Sequence, residues 1–259
     1  LTKGGGGMLT LGTANDFTNL FSLVDAVNAA QPEPYETRLR QTMDTREWMR
    51  VMALERFSGN YDSYGFNRGK NMYAYLPERA PWNLVIWDTD FVYGGPGSCV
   101  TNDQVMSSHD PVMSKFKTCA RFTRQWWAAL QEICDGVADP AVYRPRVELI
   151  YNAVTSNGVA GLEATSVMAD WIAGRRAYVR SQLALVDAPL ALDGPASFTT
   201  NVNYVALGGT APVALDGISV NGTVYPPVWV TTNRWTLYLP LASGTNALVV
   251  SGVDWRGMA

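Results

Sequence analysis

Apolar positions recur at helical spacing through most of the first 185 residues and give way to alternation and frequent turns after about residue 195. Asn15 or Asp16 caps a helix reaching to about Ala29, with Phe17, Leu20, Leu23, Val24 and Val27 on one face. Gln31–Pro34 is a break. Asp44-Thr45-Arg46-Glu47 reads as a capping box. The apolar stripe Trp48, Val51, Met52, Ala53, Leu54, Phe57 follows, and Gly59 is a natural stop. Two short aromatic runs, Met72–Leu76 and Trp82–Trp87, flank a break holding Pro77 and Pro81, which predicts a β-hairpin with a longer loop.

Beyond Gly94 a Gly/Ser-rich stretch to about Ser108 predicts an ordered surface loop. A helix is expected over 111–135, with Phe116, Phe122, Trp126, Trp127, Leu130 and Ile133 apolar. Asp139-Pro140 starts another, to about Val154. A long helix spans about 162–185, with Trp171, Ile172, Tyr178, Val179 and Leu183 inside. Arg175, Arg176 and Arg180 read as its solvated or ion-paired face. Asp187–Pro195 is a proline-punctuated linker. Residues 196–259 read as several short strands, with Asn221-Gly222 a strong hairpin turn, which suggests a small β-sandwich.

Composition narrows the classes. At 259 residues, 47% hydrophobic and 17% charged, the chain is globular and can bury a sizeable core. A net charge of −3 gives no support to nucleic-acid binding. No apolar run approaches the roughly 20 residues of a membrane helix. No signal peptide is visible, and both ends read as those of a fragment. Cys99, Cys119 and Cys134 lack metal spacing; one pair in a disulfide or three buried thiols both fit. His109 is the sole histidine, which works against a Ser-His-Asp triad or a multi-His zinc site. The run Gly4–Gly7 lacks the Gly-Lys-Ser/Thr of a phosphate loop and reads as a flexible turn.

The chemistry concentrates between Gly59 and Gly94. Asp62, Asn67 and Asn71 precede or open the hairpin, and its second run delivers Asp88-Thr89-Asp90 at its carboxyl end. Two carboxylates and an amide brought together there suit a divalent metal and a phosphate. A calcium EF-hand loop from Asp88 fails, because Val92 and Cys99 stand where oxygen ligands are needed. The Asp-x-Asp motif of a sugar-nucleotide glycosyltransferase is a rival reading. Tyr61, Tyr64, Tyr73 and Tyr75 could stack a base, but alternating strand aromatics are more often core. Trp82 and Trp87 are most simply core residues.

Three motifs in order carry a resemblance: TREWMRVMALERFSGNYDSYG from Thr45, KNMYAY from Lys70 and WNLVIWDTDFVYG from Trp82. Together they resemble the spore coat protein H (CotH) kinase family of atypical, secreted-type protein kinases. The likeness continues more weakly to DWIAGRRAYVRSQL and covers roughly residues 1–186. It implies an α+β fold: an atypical, protein-kinase-like, mostly helical C-lobe over 1–187 with a β-hairpin at the site. Residues 188–259 are expected to form a small all-β sandwich, since DGISVNGTVY and LYLPLASGTNALVVSG resemble bacterial immunoglobulin-like modules.

The resemblance also implies transfer of the ATP γ-phosphate to a protein Ser/Thr hydroxyl with Mg²⁺ or Mn²⁺. In such a site Asp62 orients or deprotonates the acceptor hydroxyl, and Asp88 holds metal. Asn67 has the kinase spacing from Asp62, Asn71 matches the family's Asn-aromatic motif, and Asp90 falls where the family has Asp or Asn. An extracellular or cell-surface bacterial setting is implied. The phosphate-contacting Lys of a nucleotide lobe does not map onto Lys3, so that lobe is expected upstream and this stretch alone is expected to be inactive. The alternative is an inactive pseudokinase or adhesin-type binding or structural module of a secreted or surface protein.

Overall fold

The computed structural model describes residues 16–66, 70–106 and 111–258. Lys3, the Gly4–Gly7 run, Asn15, Asn67 and His109 lie outside them. The helices are α1 (Thr18–Val27), α2 (Tyr35–Thr42), α3 (Thr45–Ser58), α4 (Pro111–Phe116), α5 (Ala120–Asp135), α6 (Pro140–Ser156) and α7 (Thr165–Leu183). Strands β1 (Met72–Tyr75) and β2 (Asn83–Ile86) lie between α3 and α4. Seven more follow α7: β3 (Ala191–Leu192), β4 (Tyr204–Thr210), β5 (Leu215–Val220), β6 (Thr223–Tyr225), β7 (Val228–Trp229), β8 (Arg234–Pro240) and β9 (Val250–Asp254). All strand pairs are antiparallel, so the fold is α+β.

Helix α3 is the beam on which the hairpin rests. Asp44 Oδ1 accepts from the amides of Arg46 (3.1 Å) and Glu47 (3.0 Å), satisfying two donors of the first turn. The reciprocal half of the expected capping box does not form. Glu47 instead reaches across to accept from the Leu84 amide at 2.9 Å, and the Asp44 amide donates to the Trp82 carbonyl at 3.0 Å. Trp48 Nε1 donates to the same carbonyl at 2.9 Å, and the Trp82 amide donates to Thr42 O at 3.0 Å. The start of β2 is therefore bonded to the N-terminus of α3. The hairpin expected from the two aromatic runs forms, with a register from Met72↔Ile86 to Tyr75↔Asn83.

A two-stranded hairpin buries one face only. Met72, Ala74 and Leu84 pack on the helical core, whereas Tyr73, Tyr75, Val85 and Trp87 face outward, each close to half exposed. Tyr73, Tyr75 and Trp87 are thus not the core residues expected of strand aromatics. Trp82 is half-buried against the core, and Tyr64 is buried within it.

Elsewhere the helical pattern holds with two changes. Helix α2 follows the Pro32–Pro34 break although only Tyr35 and Leu39 of it are buried. The helix expected over 111–135 divides at Lys117–Cys119, which lets Phe116 and Phe122 stack edge-on at 5.6 Å, each about 6 Å from Tyr35. Cys119 and Cys134 are buried and Cys99 half-buried. All three are free thiols, and burial pushes each up to about 11, so none is poised as a thiolate. Among the described residues no helix is long and apolar enough to cross a membrane.

The strands after α7 form two sheets, ordered β3-β4-β8-β7 and β6-β5-β9, around Val205, Ile218, Val220, Trp229, Trp235, Leu237 and Leu239. Asn221 and Gly222 both take positive φ (52° and 80°) in the β5–β6 turn, as the Asn-Gly pair predicts. The stretch read as a linker does more than connect, since Ala191–Leu192 pairs with β4 and Asp187 accepts from the Val213 amide at 2.8 Å. Val213 itself packs into the helical core. Arg124 of α5, 3% exposed, inserts among the carbonyls of Ala211, Pro212, Leu215 and Thr232 and lies 3.3 Å over the Trp229 ring.

Candidate functional site

The site begins where α3 stops. Gly59 takes φ 81°, and a Cβ there would stand 2.7 Å from the Trp171 ring, so the turn needs glycine twice over. The chain then enters Asn60-Tyr61-Asp62. Asn60 is fully buried, its amide nitrogen donating to Glu55 Oε2 at 2.8 Å and to the Asp88 carbonyl at 3.2 Å. Its Oδ1 accepts from the Asp62 amide at 3.2 Å, and its carbonyl accepts from Ser63 Oγ at 2.9 Å.

Asp62 is 7% exposed. Its Oδ2 accepts from Asn71 Nδ2 at 3.1 Å and pairs with Lys70 Nζ at 2.5 Å. Asn71 immediately precedes β1, and Asp88 follows β2 after Trp87. The Met72↔Ile86 pairing therefore puts both at the same end of the hairpin. Both residues have positive φ, 55° and 61°, a conformation that Asn and Asp adopt more readily than other side-chain-bearing residues and that clusters at functional positions. Asp62 and Asn71 are thus joined directly, and Asp88 is joined to them through Asn60. Asp90 lies two residues further on, exposed. Among the described residues no three His, Cys, Asp or Glu side chains gather as a metal cluster. The donor set is oxygen only, which suits a hard cation completing its shell with water and phosphate.

The loop beyond is held by two buried arginines. Arg56 donates to the Gln104 carbonyl and pairs with Asp103 at 3.2 Å. Arg175, expected on a solvated or ion-paired face, is 1% exposed and donates to the carbonyls of Thr101, Asp103 and Arg56. Burial lowers its guanidinium to about 10, which leaves it charged at neutral pH. Its neighbours do match the expectation, Arg176 pairing with Asp139 and Arg180 with Asp135. Trp171 Nε1 bonds the Cys99 carbonyl at 3.1 Å, and its ring lies where a Cβ on Gly94 would fall.

Three residues here escaped sequence reading: Glu55, Asn60 and Lys70. An acid inside an apolar helical stripe was the available signal for Glu55, and the first position of the Asn-aromatic-Asp motif was that for Asn60. Glu55 is 5% exposed, and burial pushes its carboxyl up from the ordinary 4.5 to about 7, with the Asn60 amide opposing. Its folded pKa lies above its unfolded one, so the folded chain holds the extra proton between those values. Stability is then highest below the unfolded value and falls as pH rises through the window. Unfolding free energies from urea titrations are expected to fall by about 2.5 kcal/mol more between pH 5 and pH 8 in the parent than in Glu55→Gln.

The hairpin thus places Asn71 and Asp88 at one of its ends, with Asp62 bonded to Asn71, on a helical α+β body. The family model described as CotH kinase protein matches residues 8–158, over half the chain, and the chain belongs to that family. Its function is accordingly kinase-like in general terms. No curated protein matches the chain.

Proposed function

We propose that this chain carries the catalytic and metal-binding loops of a phosphotransferase that moves the ATP γ-phosphate to a protein Ser/Thr hydroxyl. The observation that carries the reading is the Asp62–Asn71 bond at the mouth of the hairpin, with Asp88 tied to the same point through Asn60. Asp62, buried and oriented by Asn71, accepts the hydroxyl proton; Asp88 and Asn71 hold Mg²⁺ or Mn²⁺, with Asp90 and Asn67 as further candidates. The metal supplies charge neutralisation at the phosphates. Residues 1–187 serve as the kinase-like unit, and 188–259 as an immunoglobulin-like β-sandwich docked upon it. The family's association with spore coats supports a bacterial extracellular or surface setting.

Lys70 favours a second reading. Its ammonium sits on the very oxygen of Asp62 that Asn71 holds, which suits a carboxylate kept for structure in a pseudokinase or adhesin. Calorimetry of the full-length protein with ATP separates the two. Binding that needs Mg²⁺ or Mn²⁺ and drops by at least about tenfold in Asp88→Ala is the expected result. A folded protein that binds no nucleotide with any metal overturns the enzyme reading.

A further inference from the structure

We infer that Glu55 and Asn60 are positioning residues that lock the Asp62 loop and the Asp88 loop into one unit, a role that rests on the phosphotransferase reading above. Asn60 has no exposed surface, and every polar group of its side chain is engaged with a different part of the site. The donors face Glu55 Oε2 and the Asp88 carbonyl; the acceptor faces the Asp62 amide. A flipped amide would set Oδ1 against two acceptors and the NH₂ against a donor. Glu55, an acceptor on a well-capped helix, therefore decides which way the Asn60 amide points.

The second loop is clasped at both ends by the same helix terminus. Asp88, at φ 61°, has its carbonyl held by Asn60; Tyr93, at φ 53°, donates its amide to the Ser58 carbonyl at 2.9 Å. The segment carrying Asp88 and Asp90 thus leaves and rejoins the end of α3 through residues that also carry Asp62. Neither Glu55 nor Asn60 needs to touch a substrate. Their effect runs through the distance and orientation between the two carboxylate loops, to which transfer chemistry is sensitive.

Hydrogen exchange and kinetics on the full-length protein test this. Asn60→Leu and Glu55→Leu should each raise exchange about tenfold or more in both 60–63 and 87–93, while α5 and α7 change far less. Both should lower kcat about 10- to 100-fold with KM for ATP within about threefold. Glu55→Gln, which keeps an acceptor, should restore both readouts to within about threefold of the parent, and the double Leu variant should be no worse than Asn60→Leu alone. A change confined to 60–63, a uniform rise over the whole chain, or an unchanged kcat overturns the inference. A parent that transfers no phosphate defeats the functional reading alone, because the exchange pattern still decides whether the two loops are coupled.

Discussion

Arg124→Met is expected to cost about 4 kcal/mol of stability, the largest loss of any single replacement outside the apolar core. The guanidinium donates to four carbonyls, three between Ala211 and the start of β5 and one in the β7–β8 connection, while covering the Trp229 ring. Methionine fills much of the same space but takes a donor from all four carbonyls, of which that of Pro212 still accepts from the Leu215 amide at 3.1 Å; a buried carbonyl left without a donor costs roughly 1–3 kcal/mol before relaxation. Burial lowers the Arg124 guanidinium to about 9, with Asp187 and Asp216 offsetting part of that cost. Arg124→Lys should recover less than half, since one ammonium cannot span both sides of the fork. Urea unfolding followed by tryptophan fluorescence measures the loss, and limited proteolysis between 187 and 203 reports whether the strands detach first. A loss below about 1 kcal/mol would mean that the strand region docks through its apolar contacts alone.

Asp62→Asn is expected to lower phosphoryl transfer by about 10²–10⁴-fold, the range for removing a positioned general base. The amide keeps the shape of the carboxylate and can still accept from Asn71, so the loop geometry should survive. What disappears is the negative charge that attracts the hydroxyl proton and pairs with Lys70. Affinity for metal-ATP should stay within a few-fold of the parent, in contrast to Asp88→Ala. Equal losses of affinity in both variants would instead make Asp62 a metal ligand. Unchanged transfer in Asp62→Asn would remove it from the chemistry altogether.

Much of the site's scaffold was legible because it is written in short-range signals. Asp44 and Gly59 bound α3 as a cap and a left-handed stop. Pro77 and Pro81 separate two strands that pair as their aromatic runs suggest, and Asn221-Gly222 closes its turn as the pair requires. Helix α2 was missed because its sequence, YETRLRQT, is mostly polar and leaves two apolar residues to mark a face. The outward Tyr73, Tyr75 and Trp87 were misjudged because period-2 alternation says which residues share a face, and not which face is covered.

The motif order by itself determined the family and the identity of the acidic and amide groups at the hairpin. The tertiary structure alone decided how they are joined. Asn60 reaches Asp88 across 28 positions, Glu47 reaches Leu84 across 37, and Arg124 reaches Thr232 across 108. A buried donor must find an acceptor wherever the fold has placed one, because the alternative is an unmet desolvation cost. That requirement acts on position in space. It turned an arginine expected among solvated or ion-paired neighbours, Arg175, into the clamp of a loop, and an asparagine of the first motif, Asn60, into the link between the main chains of Asp62 and Asp88.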